Sequence, residues 1–157
     1  MESNLKEKMT AEKPQEFSCS ISVPFSAETV FKSITEVSKW WVSDVEGNTG
    51  HLHDVFTARM GSTWVKFEVT ELVPQQKTTW QVIDCSLPWN KTDVQEWNGT
   101  SLIWAVSEAD GLTKVTFTHA GLSVLACAGQ CAQAWSKYIS QSLFNFIQKG
   151  EGLPNHF

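Results

Sequence analysis

The chain has 157 residues, of which 41% are hydrophobic and 18% charged, a composition typical of one globular domain and not of a disordered segment. The net charge is −5 and Arg59 is the only arginine, so the chain lacks the basic surface with which proteins bind nucleic acids or anionic membranes. Eight tryptophans and nine phenylalanines accompany a single tyrosine. Rings of this size either fill a core or line a concave apolar site.

The first 16 residues are polar and predict a flexible tail, followed by a single domain over residues 17–157. This tail has no apolar segment of the kind found in secretory signals, and no run approaches the ~18 apolar residues of a membrane helix. We therefore expect a cytoplasmic protein. In that compartment its four cysteines stay reduced (Cys19, Cys85, Cys127 and Cys131).

The first predicted element is a strand over 17–23, where apolar and polar residues alternate until Pro24. Ser26 is a suitable N-cap for a helix over 27–35. A second short helix or turn is expected at 37–41.

Strand-like alternation then continues through most of the chain. It predicts strands at 55–60, 63–73, 78–86, 100–108 and 112–119. Gly61–Ser62 and Asp110–Gly111 are typical of hairpin turns, so neighbouring strands should pair antiparallel.

After Gly121 the apolar residues recur every three or four positions, which predicts one long helix over 126–148 that ends at Gly150. The predicted class is α+β, with a curved antiparallel sheet of six or seven strands wrapped around this helix. A single helix cannot cover a broad curved sheet from end to end. We therefore expect a cavity between them, with the short N-terminal helices closing one mouth.

Several short sequence motifs along the chain resemble those of one protein superfamily: Trp40–Trp41, Val69–Pro74, Glu96–Thr100, Phe117–Leu122 and Gly150–Pro154. Over residues 17–154 the chain is similar to the START-like superfamily, also called SRPBCC or helix-grip, and most closely to the bacterial homologues of the activator of heat-shock protein 90 ATPase. The resemblance implies the helix-grip fold. Functions within that superfamily include lipid carriage, polyketide cyclisation and co-chaperone activity.

His119 is the main candidate for chemistry, because it ends the last strand on the same face as Val115 and Phe117 and so points toward the helix. It could donate a proton to a ligand or act as a general acid or base. Because no second titratable group is paired with it in the sequence, the favoured interpretation is a buried histidine that holds the connection between strand and helix.

The aromatic residues provide the remaining candidates for ligand contact. Trp80 and Trp104 lie on neighbouring predicted strands, Trp135 lies on the inner stripe of the long helix, and Phe117 shares the face of His119. These rings either wall a pocket or only fill the core. Tyr138 and His119 are the favoured polar pair for orienting a ligand.

Other chemistry is weakly signalled. Glu96 could be a pocket base but is more simply a loop residue, and Arg59 alternates to the outer face of its strand. Cys127 and Cys131, and separately His51 and His53, lack the further ligands of a metal site, so no metal or other cofactor is predicted. Nucleophile and phosphate-binding motifs are missing as well.

The sequence leaves three functions open. The first is binding or carriage of a small hydrophobic or amphipathic molecule by a protein that is not an enzyme. The second, which the resemblance alone implies, is a protein-interaction module that activates the ATPase of heat-shock protein 90. The third is a cyclase or aromatase that uses His119 with Glu96 or Tyr138. A monomer or a homodimer fits each of them.

Overall fold

The computed structural model describes residues 16–122 and 128–157. The predicted N-terminal tail lies almost entirely outside these residues, as do Cys127 and the predicted start of the long helix at Ala126. Within the described residues, none of the helices has the length and the apolar run needed to cross a bilayer.

Seven strands form one antiparallel sheet, in the spatial order first, seventh, sixth, fifth, fourth, third and second. In chain order they are β1 (Glu16–Val23), β2 (Asp44–Gly47), β3 (Val55–Met60), β4 (Thr63–Val73), β5 (Lys77–Ser86), β6 (Ser101–Ala109) and β7 (Leu112–Ala120). All six predicted strands are confirmed to within one residue at each end. The short strand β2 was not predicted, because four residues at a sheet edge carry too little alternation to be recognised.

Turn chemistry sets the register of the hairpins. Between β6 and β7, Asp110 and Gly111 both have positive φ, as a type I′ turn requires, and Ala109 pairs with Leu112 across it. Between β3 and β4, Met60 pairs with Thr63 around Gly61, which also has positive φ. Both predicted turns are therefore confirmed.

The helices occupy the concave side of the sheet. Helix α1 (Ala27–Thr35) begins at Ser26, whose hydroxyl accepts a hydrogen bond from the Thr29 N–H, and α2 (Val37–Trp40) follows directly. The C-terminal helix runs through α3 (Ala128–Lys137), a π-helical segment (Tyr138–Leu143) and α4 (Phe144–Lys149). Gly150 ends it with a φ of 81°.

The predicted long C-terminal helix is confirmed over residues 128–149, and its middle part is π-helical. The six residues of this segment use i→i+5 hydrogen bonds, which fit an extra residue into the turn. Four side chains of the segment are buried: Tyr138, Ile139, Ser142 and Leu143.

The space between the middle of the sheet and the helix is filled by aromatic rings. The largest fully buried rings are Trp40, Trp80, Trp104, Phe56, Phe67 and Phe117. Trp40 and Trp104 meet edge to face with centroids 5.4 Å apart, and Trp80 contacts both Trp104 and Phe56. Such pairs contribute about 0.5–1.5 kcal/mol each beyond the area they bury. Among the described residues these rings fill the middle of the space between sheet and helix, and a cavity remains at the end near the β3–β4 hairpin.

The segment after the C-terminal helix is tied back to the chain that follows α2. Ser142, fully buried in the π-helical segment, donates a hydrogen bond to the Trp40 carbonyl and accepts one from the Leu153 N–H at 2.6 Å. The Asn155 N–H donates to the Trp41 carbonyl at 2.8 Å. Ser142 thus satisfies two backbone groups from distant parts of the sequence.

We predict that Ser142→Ala lowers the free energy of unfolding by about 2–4 kcal/mol, because the substitution leaves a buried carbonyl and a part-buried N–H without partners. Ser140→Ala is the matched control, since Ser140 lies in the same π-helical segment but is exposed and bonds only to the Ser136 carbonyl. It should cost less than about 0.5 kcal/mol. Urea unfolding measures both variants, and equal losses would contradict the bridging role of Ser142.

Candidate functional site

A cavity of about 420 Å³ opens at one end of the molecule. It lies where the β3–β4 hairpin, the loop between β5 and β6, and α3 meet. Six of its lining residues are aromatic: Trp41, Trp89, Trp97, Trp135, Tyr138 and Phe157. The other five are Met60, Thr63, Gln130, Cys131 and Ala134.

The lining residues divide into a floor and a rim. The floor residues are almost completely buried and are Trp41, Trp97, Cys131, Trp135 and Tyr138. The rim is more exposed, and Met60 and Trp89 within it are 38% and 43% accessible. A molecule entering past this rim would leave water and meet a mainly aromatic surface.

The indole of Trp135 organises the floor. Its ring lies 5.0 Å from that of Trp41 and is stacked on Trp97 at 6.1 Å with an interplanar angle of 20°. On its inner side it contacts Phe117 at 4.7 Å. The same side chain therefore belongs to both the core and the wall of the cavity.

Tyr138 is the most deeply buried hydroxyl of the cavity, with 3% of the residue accessible. Its oxygen accepts a hydrogen bond from the Phe157 N–H at 3.1 Å, and the two rings meet edge to face at 5.3 Å. Burial raises the pKa of Tyr138, and the Phe157 N–H opposes that shift only partly, so the phenol is neutral at physiological pH.

The six residues predicted from the sequence to contact a ligand fall into three positions. Trp135 and Tyr138 line the cavity. His119 lies behind the floor against Trp97 and Trp135, with centroids 4.8 and 6.1 Å away. The three remaining residues, Trp80, Trp104 and Phe117, face inward as expected but pack in the filled core and do not line the cavity. Their contact with a ligand stays a prediction.

Both ring nitrogens of His119 are engaged in hydrogen bonds. Nδ1 accepts from the Trp135 indole N–H at 3.1 Å, and Nε2 lies 2.9 Å from the Thr100 hydroxyl. That hydroxyl donates to the Trp97 carbonyl at 2.7 Å, so the proton between Thr100 and His119 belongs to Nε2. The neutral imidazole thus joins β7, α3 and the loop before β6.

Burial lowers the pKa of His119 from 6.5 to about 3. A proton donor to a ligand would need a free nitrogen and a pKa near neutrality, and His119 has neither. The geometry therefore favours the structural interpretation, in which the histidine holds the strand to the helix.

The other two candidates, Glu96 and Arg59, interact with residues outside the cavity. Glu96 accepts a hydrogen bond from the Asn90 side-chain amide at 2.7 Å and belongs to the loop between β5 and β6. Arg59 forms an ion pair of 2.8 Å with Glu46 and lies 40% exposed on the outer side, as the alternation predicts.

No group of three potential metal ligands is found among residues 16–122 and 128–157. His51 lies 3.4 Å from Asp54, and His53 lies 3.4 Å from Glu68. Cys131 lines the cavity, whereas Cys127 lies outside the described residues.

Sequence reasoning missed several rings of the cavity, namely Trp41, Trp89, Trp97 and Phe157. One usable signal was present, since two tryptophans stand in the loop of residues 87–100. Loops are mostly polar and solvated, so large rings there often mark a binding surface.

No family model matches the chain, and no curated protein matches it in sequence. Solved structures do match it. The Aha1 dimer of Colwellia psychrerythraea is 23% identical, with a TM-score of 0.72 over 87% of this chain and 98% of that one. DynU16, from the dynemicin biosynthetic locus, is 14% identical with a TM-score of 0.68, and the match spans 88% of this chain but only 49% of DynU16.

A third similar structure is CalU16 of Micromonospora echinospora, which is 10% identical with a TM-score of 0.60, over 88% of this chain and 76% of CalU16. These likenesses agree with the seven-stranded sheet and its C-terminal helix. The chain therefore has the helix-grip fold.

Three buried polar atoms lack a hydrogen-bond partner within the part of the chain that the structure describes: Thr78 Oγ1, Trp80 Nε1 and Trp104 Nε1. Thr78 pairs with Trp104 across β5 and β6, so two of these atoms belong to facing residues. Each such atom costs about 1–3 kcal/mol relative to its hydrated state.

We predict that Thr78→Val raises the free energy of unfolding by about 1 kcal/mol, because it removes a buried hydroxyl without changing the side-chain shape. Thr79→Val is the matched control, since the Thr79 hydroxyl donates to Glu71 at 3.0 Å. It should lower stability by about 0.5–1 kcal/mol. Thermal unfolding reports both changes. A loss of stability in Thr78→Val would show that this hydroxyl has a partner.

We predict a pH-dependent loss of stability from His119. Its pKa is lower in the folded chain than in the unfolded chain, so the unfolded state binds the proton more readily. The contribution is intact above pH 6.5 and falls by about 1.4 kcal/mol per pH unit between there and pH 3.

The measurement is urea unfolding of the wild type and of His119→Gln at several pH values. The glutamine amide can still donate to Thr100, but it does not titrate. The variant should be less stable at pH 7, with a gap from the wild type that narrows as the pH falls. A difference in unfolding free energy that stays constant with pH would contradict the lowered pKa of His119.

Proposed function

We propose that the chain binds and carries a small hydrophobic or amphipathic molecule in the cavity beside α3. The supporting observation is the cavity itself, whose volume of about 420 Å³ lies within the ~300–1,000 Å³ of typical ligand sites. Its floor is aromatic, and its deepest hydroxyl belongs to Tyr138. This combination of apolar walls and few polar groups is typical of small-molecule sites.

The expected affinity follows from apolar burial. A ligand that buries about 300 Å² of apolar surface gains roughly 7–8 kcal/mol at ~25 cal/mol per Å². The loss of translational and rotational freedom offsets part of this gain. Dissociation constants in the micromolar range or weaker are therefore expected, which suits a carrier that must also release its cargo.

A co-chaperone function is the second candidate, favoured by the likeness to the Aha1 dimer from Colwellia. Stimulation of the ATPase of the organism's own heat-shock protein 90 would support it, and a lack of both stimulation and complex formation would eliminate it. Native mass spectrometry of freshly purified protein distinguishes monomer from homodimer and detects a co-purified small molecule in the same spectrum.

A cyclase function has less support. Two of the similar structures are DynU16 and CalU16, the first of them from a biosynthetic locus. However, the proposed proton donor His119 is buried, neutral and bonded at both nitrogens. We therefore propose carriage rather than turnover.

We predict that Ala134→Phe weakens binding of the hydrophobic dye N-phenyl-1-naphthylamine at least tenfold, because Ala134 lines the cavity and a phenyl ring there occupies ligand space. The matched control is Gln133→Phe, which adds the same ring at the neighbouring exposed position. Its dissociation constant should stay within about twofold of the wild type. Dye fluorescence measures both. Equal binding by the wild type and Ala134→Phe would place the dye elsewhere and remove the support for this cavity.

A further inference from the structure

We infer that the cavity selects an uncharged molecule that presents a hydrogen-bond acceptor, such as a carbonyl oxygen, to the hydroxyl of Tyr138. This inference rests on the proposed binding function and adds the chemical class of the ligand and the residue that selects it.

None of the eleven lining residues is an aspartate, glutamate, lysine, arginine or histidine. The charged group of a ligand lying against the floor would therefore lose water without gaining an ionic partner, which disfavours its binding. The titratable side chain just behind the floor, His119, is bonded to Trp135 and Thr100 and offers no charge either.

The hydroxyl of Tyr138, like any phenol, can accept one hydrogen bond and donate another. Its oxygen already accepts from the Phe157 N–H, but the hydroxyl proton has no acceptor among the described residues. The oxygen is held in place by this bond and by the edge-to-face contact with the Phe157 ring. A fixed donor with a free proton suits an acceptor oxygen of the ligand.

The position of Tyr138 at the cavity follows from its place in the helix. Tyr138 is the first residue of the π-helical segment, and Trp135 and Ala134 precede it along the lining face. Isolated π-helical turns occur frequently at functional sites, because the inserted residue redirects side chains. Here the turn buries Tyr138 and Ser142 together, one at the cavity and one at the bridge to Trp40.

The aromatic lining also bears on the shape of the ligand. The Trp97 and Trp135 rings are nearly parallel, and Trp41 lies against Trp135 at 40°. Flat aromatic side chains around a cavity favour a ligand with a ring system. Such a ring would pack against this aromatic lining while its acceptor oxygen points to Tyr138.

The test uses three probes of similar size: 2-acetylnaphthalene, 2-naphthoate and 2-ethylnaphthalene. The first carries a neutral acceptor, the second a charge in the same place, and the third neither. Each is titrated against dye-loaded protein, and displacement of N-phenyl-1-naphthylamine gives its dissociation constant. In the wild type we expect 2-acetylnaphthalene to bind at least tenfold more tightly than 2-naphthoate.

The role of Tyr138 is tested with Tyr138→Phe. This variant loses the hydroxyl bond to the Phe157 N–H whichever probe is bound, so that effect cancels when probes are compared within the variant. We expect binding of 2-acetylnaphthalene to weaken about fivefold and that of 2-ethylnaphthalene to change less than twofold. A hydrogen bond to a ligand has this magnitude.

The outcomes separate the two proposals. If 2-naphthoate binds as tightly as 2-acetylnaphthalene, or if Tyr138→Phe weakens both neutral probes equally, the inference about the ligand class is wrong while the binding function stands. If neither the dye nor any of the three probes binds the wild type, the binding function itself is overturned.

Discussion

The packing of Trp135 against the sheet connects the core of this protein to its cavity. The indole contacts Phe117 on β7 as well as Trp41 and Trp97, and its N–H is bonded to His119. Because the C-terminal helix is the main element covering the concave face, this contact sets how closely the helix approaches the sheet. The floor of the cavity is therefore continuous with the core behind it.

A curved sheet and a straight helix cannot stay in contact along their whole length, and the chain resolves this mismatch in two ways. In the middle, large rings such as Trp40, Trp80 and Trp104 fill the space between them. At the end near the β3–β4 hairpin the aromatic side chains line a cavity and do not fill it. The high tryptophan content thus serves both packing and the proposed binding, at different positions along the helix.

The buried polar groups are likewise divided between structural roles and the proposed binding role. His119 and Ser142 are buried and fully used in holding segments together, which gives them structural roles. Tyr138 is held through its oxygen, but its proton has no acceptor within residues 16–122 and 128–157. The difference between these residues lies in their partners and not in their type, and it assigns the selecting role to the tyrosine.

The amino-acid sequence by itself determined the class, the number and order of the main strands, the two hairpin turns and the inward direction of Trp80, Trp104, Phe117 and His119. Alternation, turn residues and helical spacing are local properties, so one sequence contains them. Only the tertiary structure decided which rings pack and which line a cavity, because that depends on how far along the helix each strand residue lies. The same reason explains why Trp41, Trp89, Trp97 and Phe157 were missed, since their meeting requires three distant segments to converge.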